Sequence, residues 1–139
     1  MILLDTNVLS ALMKVMPEET VARWLDLQPR DSIWISSVNL MEVHFGLQTM
    51  PLGRKRAALA QGLAVLLEEK IQGRIALFDA PAAEQAAELM AQRKAKGHPA
   101  DPVDTMIAGI ALATRATLAT RNTSHFADLS VPIVNPWTA

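Results

Sequence analysis

Met1-Ile2-Leu3-Leu4-Asp5-Thr6-Asn7-Val8-Leu9-Ser10 opens the chain. Four apolar residues end on a carboxylate, and beyond it Val8, Leu9, Leu12 and Met13 fall at helical spacing. The run reads as a strand buried on both faces, as in a parallel sheet, then a helix with Thr6 available as its cap. The same pattern returns along the sequence. Ile33-Trp34-Ile35 ends at Ser36-Ser37 and precedes a helix from about Val38 to Gln48. Ile75-Ala76-Leu77-Phe78 ends at Asp79-Ala80-Pro81 and precedes a helix over 82–96, rich in Ala, Glu, Gln and Lys. Thr117 to Thr120 is a further short strand, and Val131 to Val134 a last one that Pro132 confines to an edge.

Helices fill the intervals. Pro17-Glu18-Glu19 opens one that runs to about Gln28, with proline at the entry and acids in the first turn. Another spans about Arg54 to Lys70 after the Pro51/Gly53 turn, and a last one about Pro102 to Arg115 after the Gly97-His98-Pro99 break. Short apolar strands separated by helices predict an α/β fold with a mostly parallel sheet.

The 139 residues suit one domain, 1–139, in which about two-thirds of the unfolded surface is buried. Half of the residues are apolar and 19% charged, which excludes a disordered chain. With no cysteine, disulfide frameworks and thiolate metal sites are excluded. No apolar run is long enough for a membrane span, and the first residues lack the pattern of a signal peptide, so a cytoplasmic protein is expected. Thirteen Lys/Arg against fourteen Asp/Glu give a net charge of −1, which advertises no nucleic-acid binder by bulk charge.

In open α/β sheets ligands sit beyond the carboxyl ends of the strands. Asp5, Thr6 and Asn7 follow the first strand, and Ser36 follows the second, with Glu42 about one helical turn later. Thr120, Arg121, Asn122 and Ser124 follow the Thr117–Thr120 strand, and Asp104 lies near the start of the helix before it. Glu42 shares a helix face with Val38, Phe45 and Gly46; Asp104 shares one with Ile107, Ala108 and Ala111 in a helix free of charge from Thr105 to Thr114. No Lys or Arg lies at i±3 or i±4 from either acid. Carboxylates on enclosed faces must find a partner, shift their pKa or bind a metal.

If Asp5, Glu42 and Asp104 meet, each pair costs on the order of 3 kcal/mol at about 5 Å and an effective dielectric near 20. A divalent cation reverses that sign, and an all-oxygen ligand set suits Mg²⁺ or Mn²⁺. Such an ion beside acids that orient water is equipment for phosphodiester hydrolysis. Structural roles stay open beside these. Asp5 suits an N-cap or Asx-turn, Glu42 a solvated face, Asp104 a first-turn acid and Asn122 a turn.

At these residues the sequence resembles the PIN-domain ribonucleases, specifically VapC-type toxins of the FitB-like branch. Residues 1–10 resemble the family's first motif and Ser36-Ser37-Val38-Asn39-Leu40-Met41-Glu42 its second. Asp104-Thr105-Met106-Ile107-Ala108-Gly109 resembles the third and Ala119-Thr120-Arg121-Asn122-Thr123 with Phe126 the fourth, while Asn135-Pro136-Trp137 is similar to the FitB-like C-terminus. The resemblance implies a three-layer fold with a sheet of four to five strands. It implies RNA hydrolysis by metal-activated water, with Mg²⁺ or Mn²⁺ held by Asp5, Asp104 and Glu42. Asn122 positions water or phosphate, and Thr6, Asn7, Ser36, Thr120, Arg121 and Ser124 support the acids or the substrate. It further implies a homodimer neutralised by a cognate antitoxin, with operator DNA bound only through that antitoxin. Where relatives often carry an aspartate this chain has Asn122, which adds no charge and favours one metal over two.

Among basic residues, Arg121 beside the acids is the phosphate candidate, whereas Arg54-Lys55-Arg56 and Arg93-Lys94-Lys96 read as solvated faces. His44, His98 and His125 have no zinc-like spacing, and Trp24, Trp34 and Trp137 read as core or interface anchors. A groove near the first four helices is expected to receive an apolar antitoxin segment. Three rivals remain. A dehalogenase-like phosphatase needs an acid at position 7, where Asn7 stands, and a structure-specific DNA nuclease needs clamp insertions that this length excludes. The third is a weak or inactive interaction module acting within an antitoxin–DNA complex.

Overall fold

The structure, a computed structural model, describes residues 1–98 and 101–139. Pro99 of the Gly97-His98-Pro99 break lies outside the described residues. Five strands form one all-parallel sheet: β1 (Ile2–Leu4), β2 (Ile33–Ser36), β3 (Ile75–Ala76), β4 (Thr117–Ala119) and β5 (Ile133–Val134), in the order β3-β2-β1-β4-β5. The N-terminal strand is thus central, with Ile2 opposite both Ile33 and Thr117. Six helices flank the sheet: α1 (Thr6–Met13), α2 (Glu19–Asp26), α3 (Ser37–Thr49), α4 (Arg54–Leu66), α5 (Ala80–Ala95) and α6 (Pro102–Thr114).

Alternation along the strands divides the core into two layers. Leu4, Ile33 and Ile35 pack with Val8, Leu9, Val21, Trp24, Leu63 and Leu66 of α1, α2 and α4. Leu3 and Leu118 face the other way, onto Ala82, Leu89, Ile107, Ile110 and the fully buried Phe126. The uncharged α6 is enclosed as expected, burying Thr105 and 107–111. The α/β three-layer architecture is present, with all five strands parallel.

Several boundaries differ from the sequence reading, each for a local reason. Asp5, not Thr6, caps α1, because its carboxylate accepts the Thr6 amide at 2.8 Å and Thr6 is already helical. The second helix begins at Glu19 and ends at Asp26, before Gln28, whose side-chain amide donates to the Trp24 carbonyl. The helix from Arg54 keeps α geometry only to Leu66 and closes in a π turn, Leu67–Ile71, with Gln72 left-handed at φ 51°. The strand expected over 75–78 pairs only at Ile75–Ala76, because Phe78 donates its amide to the Ser37 hydroxyl instead. Asp79 caps α5, whose side chain accepts the Ala82 amide, so that helix starts two residues earlier than its composition indicates.

Candidate active site

Asp5, Ser36 and Thr120 leave the carboxyl ends of β1, β2 and β4 side by side, and polar contacts tie them together. Asp5 is 4% exposed. Its Oδ1 accepts the Thr6 amide, and its Oδ2 accepts the Thr120 hydroxyl at 2.8 Å and the Asn7 amide at 3.4 Å. Asn7 also reaches Thr120 at 3.3 Å, and its carbonyl oxygen accepts the Arg121 amide at 3.1 Å. Thr120 in turn accepts the Asn122 amide at 3.0 Å.

A second chain of contacts leads to Glu42. Ser36, wholly buried, caps α3 in a box with Asn39: the hydroxyl accepts the Asn39 amide at 3.0 Å, and Asn39 Oδ1 accepts the Ser36 amide at 2.9 Å and hydroxyl at 2.6 Å. Asn39 then donates to Thr6 Oγ1 at 3.1 Å, leaving the Thr6 proton for Glu42 Oε1 at 2.6 Å. Asn39 is the member of this relay that sequence reasoning missed. Its signal was the Ser-x-x-Asn spacing at a strand-to-helix junction.

Asp104 sits in the first turn of α6, behind Asp101, whose carboxylate caps the helix by accepting the amides of Val103 and Asp104. The nearest tertiary partner of Asp104 is His125, whose Nδ1 lies 3.3 Å from Oδ2. Charge couples the three acids. Burial, above all, raises the pKa of Asp5, partly opposed by hydrogen bonds from Thr120 and Thr6, and the charge of Asp104 pushes it further up. Burial likewise raises Glu42, with the Thr6 hydrogen bond opposing and Asp5, Asp104 and Asp101 adding repulsion.

The expectations for individual residues separate here. Glu42 is half-buried, but its helix face is not enclosed, since Phe45 is 70% exposed. The carboxylate lies at a rim. Asn122 contributes backbone groups only, accepting the His125 amide through its carbonyl, and its exposed side chain makes no hydrogen bond within the chain. Ser124 is exposed and lines a cleft of about 600 Å³ with Arg93, Lys96, Asp101, Asp104 and His125. Arg121 stacks its guanidinium 4.9 Å from the Trp137 ring centroid, and the Trp137 indole donates to Glu18. Arg93 is not on a solvated face. It is 5% exposed, bidentate to Asp128 at 2.9 Å, and bonded to Thr105 and the His125 carbonyl, because α5 packs this position against α6 and the turn after β4. His125, read from sequence as an ordinary histidine, belongs to the acidic corner.

The donor set is all oxygen, and Asp5 and Glu42 bear negative charge under burial without a Lys or Arg in contact, which fits a hard divalent cation. Among the described residues no three Asp, Glu or His side chains stand close enough to make a ready-formed metal site. Ligation by all three acids therefore calls for bridging water.

The PIN-domain family model matches residues 2–131. Over 137 residues the chain is 38% identical to a VapC ribonuclease of Sinorhizobium fredii, covering 99% of this chain and 98% of that protein. It is 34% identical to toxin FitB of Neisseria gonorrhoeae, covering 99% of both. The crystal structure of FitAcB from Neisseria gonorrhoeae superposes with a TM-score of 0.84 at 33% identity, over the full length of each chain. A VapBC complex from Rickettsia felis bound to a promoter DNA fragment gives 0.81 at 27% identity, covering 97% and 98%. With the family model spanning nearly its whole length, this chain belongs to the PIN-domain family.

Proposed function

We propose that the protein is a metal-dependent endoribonuclease that acts as the toxin of a type II toxin–antitoxin pair. The observation that carries this reading is the convergence of Asp5, Glu42 and Asp104, from three elements, on one electronegative corner at the carboxyl edge of the sheet. Relatives named VapC ribonuclease and toxin FitB support RNA as substrate and toxicity as outcome. Asp5, Asp104 and Glu42 would hold Mg²⁺ or Mn²⁺, directly or through water. When bound, such an ion lowers the pKa of a coordinated water and shields phosphate charge.

The chain's own groups do the positioning. Thr120 and the Thr6 amide fix the Asp5 carboxylate in one rotamer, and the Ser36–Asn39–Thr6 relay turns Glu42 toward the corner. Arg121, held flat over Trp137, offers its guanidinium to a phosphate.

The apolar groove of about 450 Å³ bounded by Leu12, Met13, Pro17, Leu25, Val65 and Leu66 suits an apolar antitoxin segment, next to Val15 and Met16, which are 79% and 85% exposed. Met41 and Phe45, one turn apart on the outer face of α3, give a second copy its docking face. Operator DNA is reached through the antitoxin, as suits the DNA-bound complex among the structural relatives. The wide spacing of the acids favours one other reading, a weak or inactive interaction module.

Purified protein with labelled RNA in Mg²⁺ separates the two. Cleavage by the wild type, lost in Asp5→Asn and Asp104→Asn variants that keep the wild-type circular dichroism, is the expected result. Wild-type activity in either variant overturns the assignment.

A further inference from the structure

His125 stands where the acidic corner meets the 600 Å³ cleft, in the same lining as Lys96, Asp104 and Ser124. The turn that carries it is held firmly. Its amide donates to the Asn122 carbonyl at 3.0 Å, its carbonyl accepts from Arg93 at 3.0 Å, and the next residue, Phe126, is fully buried. The ring itself is open, with the side chain 56% exposed. A carboxylate oxygen only accepts, so the contact with Asp104 Oδ2 places the proton on Nδ1. In the neutral ring the lone pair is then on Nε2, the nitrogen turned away from Asp104, which has no partner among the described residues.

We propose that Nε2 of His125 accepts a hydrogen bond from a ribose 2′-hydroxyl of the bound strand, making His125 a specificity-determining residue that distinguishes RNA from DNA. This rests on the ribonuclease reading above. A phosphate oxygen, being an acceptor, is no match for an unprotonated nitrogen, and Lys96 in the same cleft is the better phosphate ligand. A hydroxyl donor is the match, and the 2′-hydroxyl is the donor that DNA lacks.

Binding measured by fluorescence anisotropy in EDTA tests this without cleavage or bound cation. The probes are a short oligouridylate, its 2′-deoxy form and its 2′-fluoro form, the last keeping the RNA-like sugar pucker without an O–H. His125→Asn keeps an amide nitrogen near the place of Nδ1, and so the Asp104 contact, while deleting Nε2; His125→Gln keeps a polar group near the place of Nε2. The wild type is expected to prefer the ribo over the 2′-fluoro strand by about fivefold, the worth of one hydrogen bond. In His125→Asn the preference falls to near unity with 2′-fluoro binding unchanged, and His125→Gln recovers part of it. Equal losses on all three strands, a preference that survives in His125→Asn, or no preference in a wild type that binds RNA, each overturns the proposal. A wild type that binds no RNA at all overturns the ribonuclease reading beneath it.

Discussion

Asp5 is asked to do two things that conflict. As N-cap of α1 and acceptor of Thr120 it is well partnered, yet its charge is 4% exposed beside two other acids. Its folded pKa is raised, so the folded chain binds this proton more readily than the unfolded chain. The stability it contributes therefore falls as pH rises upward from the ordinary value of 3.8, and Glu42 behaves alike from 4.5. Asp5→Asn is expected to melt roughly 3–5 °C above the wild type at neutral pH without divalent ions. That gap should shrink as pH falls toward the carboxylate range. Added Mn²⁺ should raise the melting temperature of the wild type only. A melting temperature for Asp5→Asn at or below the wild type's in the absence of metal would show that the cap outweighs the buried charge. Arg93 gives the opposite case. Its guanidinium and the Asp128 carboxylate hold each other charged, and Arg93→Ala strands Thr105 and the His125 carbonyl, costing about 2–3 kcal/mol in urea denaturation. Arg93→Lys recovers little, since a point charge cannot reproduce the fork.

Between helices, two glycines set the spacing. A Cβ on Gly62 of α4 would lie 2.0 Å from the carbonyl oxygen of Met13, and one on Gly109 of α6 would lie 2.5 Å from that of Ala82 in α5. Both obstacles are backbone, so Gly62→Ala and Gly109→Ala should each cost about 1–3 kcal/mol by thermal denaturation despite alanine's better helix propensity. Gly46, with open space around it, should be stabilised by the same change. Where these elements lie was legible because a strand here is an uninterrupted apolar run, and α6 is a long uncharged one. Asp5 and Ser36 were legible for the same reason: each stands at the abrupt end of such a run. Which oxygen caps α1 was not, because Asp5 and Thr6 are adjacent and both competent. His125–Asp104, Arg93–Asp128 and Asn39–Thr6 were also hidden. Their partners lie 21, 35 and 33 positions apart and meet only when separate helices pack.

The molecule as a whole exposes 7966 Å², above the ~7,000 Å² that a compact chain of this mass presents. Much of the surplus is apolar: Val15, Met16, Leu52 and Phe45 are all at least 70% exposed. Such surface belongs to a protein that works in company. Phe45→Glu is expected to shift a dimer to a monomer in sedimentation while sparing the antitoxin groove on the far side of α1. An unchanged mass would place the pairing face elsewhere. The strand order has a consequence for synthesis. Because β1 takes residues 117–119 as one neighbour, and Asp5 takes its hydroxyl partner from position 120, a ribosome that has released only the first hundred residues has made no working corner. Any hydrolytic capacity arises only with translation of the last segment, so a stalled or truncated product is born harmless to the messages around it.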